Sequence, residues 1–122
     1  MIGLAVYLNG RKLTVAGAED LSVLNAIVGA VGKLGKATAR AGKRTGVRLH
    51  LIVGGLTGRP DGLEDEHLRW IDHRPLRVGD RVSVRIVRTT QPNKQQSAHS
   101  AGGNMQKINE KKIKLWKRRK KK

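Results

Sequence analysis

Leu21-Ser-Val-Leu-Asn-Ala-Ile-Val-Gly-Ala-Val-Gly-Lys-Leu34 is the stretch on which the fold turns. Read with helical spacing, Leu21, Leu24, Val28, Val31 and Gly35 fall along one stripe, and Glu19, Asp20 and Ser22 stand where a cap is needed. Read as a strand, the same residues draw on composition. Val23, Ile27, Val28 and Val31 are β-branched, and Gly29 and Gly32 each weaken a helix by about 1 kcal/mol. Glycines and branched side chains press the same way, so a strand is favoured and a helix is the alternative. With a strand here the chain is mainly β, a small antiparallel sheet or barrel of five to six strands. With a helix the order becomes β-β-α-β-β, an α+β arrangement.

Upstream lies the clearest local signal. Leu4-Ala-Val-Tyr-Leu8 and Arg11-Lys-Leu-Thr-Val15 flank Asn9-Gly10, a pair that tolerates the positive φ angles of a type I′ hairpin turn. Downstream, Val47-Arg-Leu-His-Leu-Ile-Val53 reads as a third strand closed by Gly54-Gly55, and Leu68 to Ile71 as a short fourth. Pro75-Leu-Arg-Val78 and a Gly79-Asp80 turn lead into Arg81-Val-Ser-Val-Arg-Ile-Val87. There Val82, Val84 and Ile86 face one side, and Arg81, Ser83, Arg85 and Val87 the other.

Leu76-x-Val-Gly-Asp-x-Val-x-Val-x-Ile86 resembles the last turn and strand of the sulfur-carrier β-grasp (ubiquitin-like) proteins. The likeness implies a β-grasp domain for the helical alternative, and with it a protein-interaction module. It does not extend to sulfur transfer, because a carrier ends in Gly-Gly and both such pairs here, Gly54-Gly55 and Gly102-Gly103, are internal.

Charge divides the chain of 122 residues unevenly. Its formal net charge is +17. Residues 1–90 hold 15 Lys/Arg and 8 Asp/Glu, a net of +7, whereas residues 91–122 hold 11 Lys/Arg and one acid, Glu110, a net of +10. Patterning changes at the same place. Thr89 to Asn104 is mostly Gln, Ser, Asn and Gly and has too little apolar surface to fold alone. The organisation expected is a globular β-rich domain over 1–90, a flexible linker over 91–104, and a basic extension, helical in one reading, over 105–122.

So large a positive excess calls for a polyanionic partner. Aromatic residues are few (Tyr7, Trp70 and Trp116, with no Phe), which disfavours base stacking on aromatic platforms and favours phosphate and shape recognition. The first candidate surface is the segment 33–48, where Lys33, Lys36, Arg40, Lys43, Arg44 and Arg48 occur without one acid and Gly35, Gly42 and Gly46 permit close backbone approach. The second is the extension, with Lys107, Lys111, Lys112, Lys114, Trp116, Lys117, Arg118, Arg119, Lys120, Lys121 and Lys122. Counterion release makes such a cluster a tight, salt-sensitive, sequence-indifferent grip.

Asp61, Glu64, Asp65, Glu66, His67, Asp72 and His73 form a polar cluster without paired-His helical spacing or calcium-loop order. It reads as a solvated acidic loop balancing nearby arginines, with Trp70 in the core, and no metal or cofactor is expected. Absence of cysteine removes thiol chemistry, disulfides and zinc knuckles. No serine elbow or phosphate-cradling loop is present, and although a nuclease could in principle use His50, His67 and nearby acids, no spacing singles them out, so no enzyme is expected. No signal-peptide order and no long apolar run occurs, so a cytoplasmic location off the membrane is expected.

A compact domain with a basic extension resembles, in composition and layout, a ribosomal protein. That likeness implies non-catalytic binding of structured RNA, with ribosomal RNA and neighbouring particle proteins as partners. A DNA-binding or packaging protein is the alternative.

Overall fold

A computed structural model describes residues 1–42 and 46–101. Its seven strands are β1 (Ile2–Leu8), β2 (Arg11–Ala16), β3 (Leu21–Val31), β4 (Arg48–Thr57), β5 (Glu66–Pro75), β6 (Val82–Arg88) and β7 (Ser97–Ser100). They form two antiparallel sheets, one of order β2-β1-β6 and one of order β3-β4-β5-β7. The protein is mainly β, neither sheet closes into a barrel, and no helix occurs among the described residues. The helical alternative for 21–34, and the β-grasp arrangement with it, therefore does not hold.

Local chemistry explains most of the elements. Asn9 and Gly10 have φ of 52° and 84°, and Leu8 faces Arg11 across them, as a two-residue hairpin turn requires. β6 completes the small sheet by pairing with β1 from Ile2↔Arg88 to Leu8↔Val82. β3 pairs along its whole length with β4, from Leu21↔Thr57 to Val31↔Arg48, and no other strand pairs with it among the described residues. As an edge strand it buries neither face fully: Val23, Ile27, Val28 and Val31 all stay exposed, while Leu24 and Ala26 pack against the core.

One apolar cluster joins the sheets. Val6 and Ala16 come from the first sheet; Leu51, Val53, Leu68, Trp70 and Ile71 come from the second. Leu4, Leu13, Leu76 and Val82 pack around them. Of the three aliphatic residues expected to share one side of β6, only Val82 reaches this cluster; Val84 and Ile86 stay exposed.

Three sequence expectations need revision. The described residues form seven strands, not five or six. Gly54-Gly55 does not end the third strand, since β4 runs through both. A Cβ on Gly54 would lie 2.8 Å from the Leu68 carbonyl oxygen, and one on Gly55 would lie 2.5 Å from that of Val23. These glycines mark close cross-strand approach, not a stop. Finally, part of the segment expected as linker belongs to the domain. Asn93 donates its backbone N–H to Val15 O at 2.8 Å and accepts from Val15 N at its side-chain oxygen at 2.7 Å. Its carbonyl accepts from Trp70 Nε1 at 2.8 Å, which ties the segment to both sheets. Beyond it, β7 pairs with β5 from Arg69↔Ser97 to Glu66↔Ser100. Backbone bonds to an open strand edge need no apolar side chains, so hydropathy does not reveal them.

Candidate nucleic-acid interface

The acid-free segment is the connection between β3 and β4, an extended hairpin loop over 32–47 whose base is the Val31↔Arg48 pair. Gly32 stands at its foot with φ of 133°, and a Cβ there would lie 2.6 Å from Gly46 O. Only glycine lets the two sides of the loop come this close. Farther out, Thr38 N donates to Gly35 O at 3.2 Å, and Gly35 N donates to the Thr38 hydroxyl at 3.2 Å, forming one local turn.

Lys33, Lys36, Arg40 and Arg48 are all exposed. None of the four forms an ion pair with a carboxylate among the described residues. Lys43 and Arg44, named with them from the sequence, lie outside the described residues. So do Lys107, Lys111, Lys112, Lys114, Trp116, Lys117, Arg118, Arg119, Lys120, Lys121 and Lys122.

Arg59 shows the opposite setting. Its Nε donates to Asp20 at 3.0 Å, and its Nη1 donates to Glu66 at 2.6 Å and to Glu64 O at 3.1 Å. The hydrogen bond to Glu66, followed by that to Asp20, raises the guanidinium pKa further above its ordinary value. Asp65 accepts from the Thr57 hydroxyl at 3.1 Å and from Arg59 N at 2.8 Å, and Glu64 accepts from Ser100 Oγ. Much of the acidic cluster thus serves to fasten one arginine and the ends of strands. Trp70 is only 2% exposed, a core residue and not a stacking platform.

The larger sheet gathers what sequence spacing leaves scattered. All four histidines lie on it: His50 on β4, His67 and His73 on β5, and His99 on β7. His67 and His99 are register partners. The His50 and His73 rings stand 5.2 Å apart between centroids, tilted by 44°. His73 Nδ1 is 2.7 Å from Asp72 Oδ1, and His73 has φ of 48°, in the left-handed region uncommon for a residue other than glycine. Arg48 lies two positions before His50, on the same face of β4. Arg48, His50 and His73 line one open pocket of about 410 Å³, with Val47, Leu49, Pro75 and Leu76 as its apolar part.

Sequence reasoning placed Arg48 among phosphate-binding candidates but not His73 beside His50. These two are 23 positions apart and meet through the β4–β5 pairing, which sets His50 against Pro75 and shifts register between Leu51 and Val53. No local motif encodes that shift.

Comparison with protein-family models, with curated proteins and with solved structures finds no match to this chain. No helix among the described residues is long and apolar enough to cross a membrane.

Proposed function

We propose that the protein binds structured RNA through its phosphate backbone, with the β3–β4 loop as the domain's contribution to the grip. One observation carries this reading. Lys33, Lys36, Arg40 and Arg48 are exposed and, among the described residues, without carboxylate partners, whereas Arg59 in the same domain is held by two acids. Cations left unpaired keep their full charge for an external anion, and each phosphate they neutralise releases a condensed counterion. Scarcity of exposed aromatics favours backbone and shape over base readout. The basic residues of 105–122 add to the same grip by charge alone. Within this proposal the setting is a cytoplasmic ribonucleoprotein, ribosomal or ribosome-associated, with neighbouring proteins as further contacts.

Binding of a fluorescent RNA hairpin, followed by anisotropy as salt is varied, tests the reading. The quadruple variant K33Q/K36Q/R40Q/R48Q should lower the log–log salt slope by about 3. An unchanged slope would remove the loop from the interface. An equal-length DNA duplex provides the second arm: equal affinity for it would favour the DNA-binding alternative.

A further inference from the structure

We propose that the His50–His73 pair, with Arg48 and Asp72, is a metal-independent RNA-cleaving site acting on unpaired phosphodiester linkages. This rests on the RNA-binding reading and adds a reaction to it.

Five observations converge on one end of the larger sheet. His50 and His73, at 5.2 Å between ring centroids, are close enough to address two oxygens of one phosphate group. Asp72 orients the His73 ring: a carboxylate can only accept, so in the neutral imidazole the 2.7 Å contact puts the proton on Nδ1 and leaves Nε2 as an acceptor. His73 keeps a left-handed backbone, φ 48°, at a register shift between β4 and β5, and such local strain collects where a side chain is aimed for use. The His50 ring, in turn, occupies the space above Gly29, where a Cβ would come within 2.5 Å of Nε2. Arg48 borders the same pocket and stands on β4 at the base of the cationic loop.

These groups suffice for transphosphorylation within RNA. His73 Nε2 takes the proton of a 2′-hydroxyl, and the freed 2′-oxygen attacks the adjacent phosphorus. The bond from phosphorus to the 5′-oxygen breaks, and protonated His50 delivers a proton to that departing oxygen. One product ends in a 2′,3′-cyclic phosphate and the other begins with a 5′-hydroxyl. Proton acceptor and proton donor have then exchanged states, and ordinary solvent exchange restores them. Arg48 neutralises the non-bridging oxygens as charge builds on phosphorus. Asp72 is a positioning residue acting through His73. The substrate must carry a 2′-hydroxyl and be free to align for in-line attack, so unpaired stretches of RNA react and DNA does not.

The full-length protein is incubated in excess EDTA with end-labelled RNA containing an unpaired stretch, beside its DNA and 2′-O-methyl counterparts. Only the unmodified RNA should shorten, giving fragments with 2′,3′-cyclic phosphate ends. His50→Gln and His73→Gln, which keep side-chain volume at exposed or half-exposed positions, should each lower the rate by about 100-fold or more. Asp72→Asn should lower kcat with little change in KM, and Gly29→Ala, which displaces the His50 ring, should lower it too. RNA that binds but is not shortened overturns this inference and leaves the binding reading intact. Shortening that persists in both glutamine variants, purified by the same route, overturns it as well. RNA that neither binds nor shortens overturns both.

Discussion

Arg59 and Arg48 carry the same guanidinium to opposite ends. Arg59 is enclosed by Asp20, Glu66 and the Glu64 carbonyl, with a side chain 18% exposed. Its removal leaves two partly buried carboxylates without their partner, so Arg59→Ala should cost about 2 kcal/mol in chemical denaturation, with RNA affinity little affected. Asp80 makes a different residue-scale case. Its carboxylate accepts from Arg77 N at 2.7 Å and from Asn9 Nδ2 at 3.0 Å, and the Arg77 bond first, then Asn9, lowers its pKa below the ordinary carboxylate value. A depressed folded-state pKa adds stability that is present above the unfolded value and is lost as pH falls through the folded one. Asp80→Asn should therefore melt earlier than the parent near neutral pH, and the gap should close as pH is lowered through the carboxylate range. A constant gap across that range would show that the carboxylate charge contributes nothing.

Among the elements, β3 and β7 were the least legible in sequence, for related reasons. A strand shows period-two alternation when one face is buried and the other is wet. β3 has partly exposed residues on both faces because no described strand covers its outer edge, so its apolar residues fit a helical stripe nearly as well. Composition decided correctly where periodicity did not: four branched side chains and Gly29 fit an edge strand, Gly32 lies just past its end, and the two glycines each meet a close neighbour, His50 and Gly46. Gly32→Ala should cost about 1–3 kcal/mol through its positive φ and the Gly46 carbonyl, and should weaken RNA binding by distorting the loop foot. β7 is hidden in Ser97-Ala-His-Ser100, whose contribution is backbone pairing to β5. A chain ended at residue 90 would lose that pairing and the Asn93 bridge between Val15 and Trp70. It should be markedly less stable than one ended at residue 101, by thermal melting.

For the molecule as a whole, charge is the property that sequence states most plainly. Ten of seventeen net positive charges fall in residues 91–122, and six more cations sit in one acid-free segment, both countable without coordinates. Deleting residues 104–122 should therefore flatten the salt dependence of RNA binding while the two-sheet domain stays folded, as circular dichroism and binding at graded salt would report. An unaltered slope would take the extension out of the grip. Sequence by itself determined the mainly β class, the Asn9-Gly10 hairpin, the burial of Trp70 and the concentration of cations in 33–48, because each rests on local propensity or counting. Tertiary structure alone decided that Arg59 is ion-paired while Lys33, Lys36, Arg40 and Arg48 meet no carboxylate among the described residues, that Asn93 ties the two sheets, and that His73 stands against His50. Those facts depend on strand order and register between residues far apart in the chain, and a one-residue shift in register carries a side chain to the opposite face.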